Sequence, residues 1–266
     1  MRSIKTLAVC AITILTFSFA TLITKRSPSD SQIIPETGNG FAVLELFTSE
    51  GCSSCPPADK LLARMEEQAG NTPVYLLAYH VDYWDRLGWK DPFSKPEFSK
   101  RQYEYSELLN SSVFTPQLII NGKRSFVGSD EPGIRKALKE VLESKTSGSL
   151  MLKAAIQTDK LSVDYRGDWQ GKSAQLVLAL VKKEAVNKVG NGENGGRTLH
   201  HVQIVHNTYR HHLTPGTEGT CEIPKPENFN ADEWELIGFI QSQGTGEIFQ
   251  AAKTKIGLHA QTHTAP

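Results

Sequence analysis

Two cysteines, Cys52-Ser-Ser-Cys55, carry the plainest chemical signal in the chain. At this spacing on the first turn of a helix both sulfurs lie within bonding reach. The helix's unpaired N–H groups and positive dipole end also favour thiolate at the first of them. Thiolate is the form that attacks disulfides, so the pair suits thiol–disulfide exchange, with Cys52 attacking and Cys55 resolving. Two other uses stay open, a static structural disulfide and part of a metal site. Zinc usually takes a second Cys/His pair at similar spacing, and no second Cys-x-x-Cys exists. Cu(I) is a soft ion, for which Cys52, Cys55 and His80 are the candidate ligands. Ser53 and Ser54 between the cysteines bring no cation, and Pro56 and Pro57 remove two N–H groups from the first turn. Moderate thiolate character is therefore expected.

The elements around the pair follow from hydrophobic periodicity. Val43, Leu44, Leu46 and Phe47 form a short apolar run that predicts an interior strand, and Gly51 turns it toward the cysteines. From Ala58 to Ala69 the spacing is helical, with Leu61, Leu62, Met65 and Ala69 on one side. Residues 73–81 read as a second strand buried on both faces. His80, Asp82 and Asp85 stand at its end, where α/β proteins place ligands, as candidates for a metal or proton-relay group. Tyr83, Trp84 and Trp89 follow, either lining a groove for an apolar peptide or packing as an aromatic lid. A helix is predicted across residues 95–109. Next come Thr115-Pro116, a hairpin marked by Asn121-Gly122, and a helix from about Asp130 to Ser144.

This order, β–(Cys-x-x-Cys)–α–β–α–β–β–α, resembles the thioredoxin fold. The resemblance implies a cis bond at Thr115–Pro116, beside the cysteine pair, with the Thr115 backbone binding a substrate strand by main-chain bonds. It also implies a buried acid that exchanges a proton with the second cysteine. Glu45, on the strand leading into the motif, is the candidate, with an ion-paired strand residue as the plainer alternative. Residues 44–49, 51–59, 79–84 and 114–117 together are similar to a family of uncharacterised secreted bacterial proteins, thioredoxin-like with an added C-terminal region. That likeness spans roughly residues 41–255 and implies an architecture without a substrate.

The expected fold class is thus α/β, a thioredoxin-like fold followed by a smaller all-β, sandwich-like region. At 266 residues the chain is long enough for two domains. Arg2 and Lys5 before the uncharged run Leu7–Ile23 read as a signal peptide or membrane anchor over residues 1–26. Residues 27–40 read as a linker, 41–146 as the thioredoxin-like domain, 149–258 as the β-rich domain and 259–266 as a tail. The protein is therefore expected to be exported, periplasmic or otherwise extracytoplasmic, with a possible tether to the membrane. Lys plus Arg equals Asp plus Glu at 29 each, which argues against nucleic acid as a partner. In the oxidising compartment Cys221 is left over, a buried inert thiol or a resolving cysteine. The Gly/Asn-rich stretch 187–197 lacks the ending of a phosphate loop, and His200, His201, His206, His211 and His212 read as a polar strand edge.

The function these features predict is an exported thiol–disulfide oxidoreductase. Its substrate is a protein or peptide disulfide, it draws on an external thiol redox partner, and it needs no cofactor. The alternative is a copper-binding or non-catalytic interaction module.

Overall fold

The apolar run before the cysteines forms β1 (Ala42–Thr48), buried at every position. In the computed structural model, which describes residues 40–169, 173–213 and 218–258, α1 (Pro56–Ala69) follows at once. Then come β2 (Val74–His80), α2 (Pro96–Leu109), β3 (Gln117–Ile120), β4 (Arg124–Val127) and α3 (Glu131–Glu143). The second half is built of strands: β5 (Ser149–Ile156), β6 (Lys160–Asp168), β7 (Ala174–Lys188), β8 (Thr198–Leu213), β9 (Glu218–Pro224), β10 (Trp234–Ser242) and β11 (Ile248–Leu258). The leader, the tail and all of the linker but Gly40 lie outside the described residues. No helix among the described residues is long and apolar enough to cross a membrane.

The expected fold class needs correction. In place of an α/β thioredoxin-like fold and a separate sandwich there is a mostly β protein. The described residues form one mixed eleven-stranded sheet in the order β4-β3-β1-β2-β8-β7-β10-β11-β5-β6-β9. The junction is β2, which pairs in parallel with β1 on one side and meets β8 through Ala78 and Ile204 on the other. The physical reason is that a strand buried on both faces shows in its sequence that it has two neighbours, but not which ones. The described residues all belong to one compact unit.

Alternation along β1 sends its side chains to two cores. Leu44 and Leu46 pack under α1 and α3 with Leu61, Leu62, Met65, Ile134 and Leu138. Val43 and Phe47 face the other way, among Tyr79, Phe98 and Tyr105 and against Val177, Val181, Ile237 and Phe239. The last four belong to β7 and β10, so the sheet curls until its second half lies over its first, as right-handed strand twist allows. The far side of that second half carries a third core around Leu176, Leu178, Leu180, Trp234 and Leu236.

Local signals in the sequence fix several details. The hairpin β3–β4 turns at Asn121 and Gly122, with φ of 49° and 66°. Positive φ at both turn positions is what Asn-Gly supplies. The Asn121 side chain also ties the turn to β1, accepting from the Val43 N–H at 2.6 Å and donating to the Phe41 carbonyl at 3.0 Å. Asp130 caps α3 by accepting from the Gly133 N–H at 3.2 Å.

Candidate functional site

Cys52 and Cys55 are joined in a disulfide with their Cα atoms 5.4 Å apart. The turn Ser49-Glu50-Gly51 carries the chain from β1 into the motif, and the Cys52 N–H bonds the Ser49 carbonyl at 3.2 Å. Cys55 occupies the N-cap position of α1, and Pro56 and Pro57 fill the first two helical positions, where a missing N–H costs nothing. Neither serine caps the helix through its side chain. The Ser54 hydroxyl instead lies 3.3 Å from the Cys52 sulfur and donates to the Thr115 carbonyl at 3.4 Å. The Thr115–Pro116 peptide bond is cis. Trp84 completes this side, its indole N–H bonding the Thr115 hydroxyl at 2.8 Å. A Cβ placed on Gly51 would stand 3.1 Å from that of Trp84, a contact only glycine makes comfortable. Both cysteines are fully buried, while Ser53 and Ser54 are exposed.

Beneath the disulfide lies a set of buried ionisable groups. Asp59, one helical turn beyond Cys55, shares its helix face, and its N–H bonds the Cys55 carbonyl at 3.1 Å. The Thr48 hydroxyl donates to the Asp59 carboxylate at 2.8 Å. Burial pushes the Asp59 pKa up, more than the nearby His201 and His80 draw it down. His80 stands beside Thr48 in register on β2, with its Nδ1 2.7 Å from Asp91. Burial alone would lower the His80 pKa, but the carboxylates of Asp91, Asp59 and Glu50 prevail and raise it. Burial would likewise raise the Asp91 pKa, but His80 and the N–H groups of Glu50 and Phe93 hold it down. Among the described residues the buried His80 Nε2 has no hydrogen-bond partner. Its ring meets that of His201 edge to face at 4.8 Å.

Glu50 is the hub of this cluster. Its carboxylate takes bonds from Trp89 Nε1 at 2.8 Å and Asn187 Nδ2 at 2.8 and 3.1 Å, and lies 3.0 Å from His201 Nε2. Nothing local marked Glu50, Asp91 or His201, because each joins the cluster through contacts far apart in the chain. His201 leaves the polar strand edge expected for it and is buried. Asp82 and Asp85 stay apart from His80. Asp82 accepts from the Ser99 hydroxyl at 2.5 Å, and Asp85 accepts from the Asp91 N–H and the Ser94 hydroxyl.

The other site residues of the sequence reading divide. Tyr83, Trp84 and Trp89 are half-buried, and each ring's polar atom is spent within the protein, that of Tyr83 on Gln102 at 3.2 Å. Trp89 packs against Gly190 and Gly192 of the β7–β8 loop, where a Cβ on Gly190 would fall 2.7 Å from the ring. Glu45 lies on the opposite face of β1 from Thr48, paired with Arg101 at 2.5 Å and with the Tyr105 hydroxyl. With the two sulfurs bonded to each other, neither is a thiolate ligand. No group of three or more His, Cys, Asp or Glu is placed to hold a metal among the described residues. Cys221 sits half-buried on β9, its pKa pushed up to about 11 by burial and by Asp164, so it is a thiol at neutral pH.

The family described as "Protein of unknown function (DUF1223)" matches residues 43–241, which include every residue of this cluster. Among curated proteins none matches. Two solved structures are similar along most of the chain. Protein AGR_C_4864 from Agrobacterium tumefaciens is 27% identical, with a TM-score of 0.64 over 87% of this chain and 99% of its own. HBP35 of Porphyromonas gingivalis is 17% identical, with a TM-score of 0.65 over 86% of this chain and 80% of its own, a likeness of fold alone.

Proposed function

The chain belongs to the family of proteins of unknown function DUF1223, and from the chemistry of its site we propose that it is an exported thiol–disulfide oxidoreductase acting on protein or peptide disulfides. One observation carries the proposal. A cysteine pair at the head of a helix stands over a buried carboxylate whose pKa is raised, one turn below the second cysteine. A structural disulfide needs no such acid, whereas exchange needs a group that takes and returns the Cys55 proton.

In the reductive direction the Cys52 thiolate attacks one sulfur of the substrate disulfide. A Cys52–substrate disulfide forms, and the first substrate sulfur leaves as a thiolate that is protonated by solvent. Asp59 takes the proton from Cys55, whose thiolate attacks the Cys52 sulfur and expels the second substrate sulfur, which receives a proton in turn. The substrate gains two electrons and two protons, and the enzyme dithiol becomes the Cys52–Cys55 disulfide. An external dithiol partner reverses that change, and the oxidative direction is the same sequence run backward. Glu45, committed to Arg101, is a less suitable acid than Asp59. Thr115 supplies a backbone position for the substrate strand. The basic, apolar N-terminus supports export, where such a pair meets disulfides.

Complete burial of both sulfurs favours a second use, a static disulfide. Insulin reduction separates the two, with the protein reduced beforehand and regenerated by a polypeptide dithiol. The wild-type protein is expected to turn over, and Cys52→Ser to abolish turnover. No turnover by the wild-type protein, or equal rates in both, refutes the proposal. Tight Cu(I) binding by the reduced protein without exchange would favour the copper-handling alternative.

A further inference from the structure

The loop between β7 and β8 does more than connect strands. Asn194 at its centre is fully buried, although Gly190–Glu193 and Gly195–Arg197 on either side of it are exposed. Its amide nitrogen donates to the carbonyls of both Glu50 and Cys52, at 2.9 Å each, and its amide oxygen accepts from Arg197 at 2.6 Å. The neighbouring Glu193 carboxylate accepts from the Ser53 N–H at 3.0 Å. A donor on the Cys52 carbonyl and an acceptor on the Ser53 N–H are what an extended polypeptide offers from its own backbone. The loop can leave as a unit: its backbone bonds run within itself, between Val189 and Arg197, Gly196 and Val189, and Gly195 and Gly192, while Asn194, Glu193 and a contact with Trp89 hold it to the motif.

We infer that residues 190–197 form a built-in plug. It occupies the main-chain hydrogen-bonding places that a polypeptide substrate takes beside Cys52, so that small thiols are excluded and a polypeptide displacing Asn194 and Glu193 is admitted. This rests on the exchange reaction proposed above and narrows its substrate to extended polypeptide disulfides. The sulfurs are buried because the substrate's place is already filled by the protein's own chain. Removing the Asn194 amide takes a donor from the Glu50 carbonyl, leaves the Cys52 carbonyl with the Cys55 N–H alone at 3.2 Å, and loosens the plug at its one buried side chain.

The test is chemical. Folded, oxidised protein is exposed to excess dithiothreitol, quenched by alkylation at intervals, and the reduced fraction of Cys52–Cys55 is read by mass. Wild-type protein is expected to reduce at least tenfold more slowly than the same protein in denaturant. Asn194→Ala is expected to recover most of that factor, and Glu193→Ala a severalfold part of it, with circular dichroism unchanged. Glu193 is exposed, so its variant keeps the test decisive if Asn194→Ala fails to fold. Reduction of the folded wild-type protein at the denatured rate overturns the inference, as does no acceleration in either variant. Acceleration in the variants with no insulin turnover by any of them sinks the oxidoreductase reading and leaves the plug standing.

Discussion

Two buried clusters of charge sit on opposite faces of the same two strands, and they are finished to different degrees. On the face toward α2, Glu45 spends both oxygens, one on Arg101 and one on Tyr105, while Gln241 donates to the Tyr105 hydroxyl at 2.7 Å. The Arg101 guanidinium also lies 5.0 to 5.6 Å from the ring centres of Tyr105, Phe239 and Tyr79. Among the described residues no side-chain atom of Glu45, Arg101, Tyr105 or Gln241 is buried without a partner, so the ionised pair is fully matched although the Tyr79 hydroxyl beside it is unpaired. On the face toward α1, Glu50, Asp59, His80, Asp91 and His201 crowd together, and the His80 Nε2 has no partner. A fully matched ion pair specifies a fold, and a titratable nitrogen without a partner keeps capacity to gain or lose a proton. The charge around Arg101 holds the sheet, and the charge toward α1 is what the proposed exchange would use.

The sharpest way to break the comparison is at Arg101. Arg101→Met leaves the Glu45 carboxylate buried and unpaired, and is expected to cost about 3–5 kcal/mol, read as a fall in the urea midpoint. Glu45→Gln added to Arg101→Met should return a good part of that loss, because no charge then remains to desolvate. A double variant no more stable than the single one would show that Glu45 and Arg101 are not the partners that matter.

On the other face the expected effect is catalytic. Asp59→Asn keeps the acceptor for the Thr48 hydroxyl but cannot take a proton. It is expected to slow the Cys55 attack about a hundredfold and to let the mixed disulfide accumulate, with stability held or raised because no carboxylate is desolvated. Acid-quenched trapping of the mixed disulfide in single turnover checks it. Resolution at the wild-type rate would remove Asp59 from the mechanism.

How much of this could be read from the chain beforehand depends on the range of the cause. The strand before the cysteines, α1 after them and the Asn121-Gly122 hairpin are set within a few residues by period and turn chemistry, and the sequence predicts all three. Asp59 stands four residues past Cys55, a helical spacing that the chain shows locally, whereas strand alternation alone sends Glu45 to the opposite face from Thr48. The junction of β2 with β8, the seat of His201 beside His80 and the descent of Asn194 onto Cys52 join residues more than a hundred apart. No periodicity encodes such contacts. The expected fold class is overturned for the same reason, since the element order of the first half is set locally while the sheet that unites it with the second half is a tertiary fact.

The smallest effect expected is a slope with pH. The His80 pKa is raised above 6.5, so the stability it contributes is fully present below that pH and is lost as pH rises through the folded value. Asp91 is lowered from 3.8, so its contribution stands above that pH and is lost only as pH falls through the folded value. Asp59 is raised from 3.8, and its delayed ionisation removes stability as pH climbs from there to its folded value. All three together put the optimum on the acid side of neutrality. Stability is therefore expected to decline as pH rises from 6.5 through the folded value of His80. His80→Gln should start lower, because Asp91 loses its charged partner, but fall less steeply as pH rises. Urea midpoints of both proteins over the same pH series decide it: parallel curves would mean that the His80 proton is not held in the native state. The charge of the face toward α1 would then be as fixed as that around Arg101.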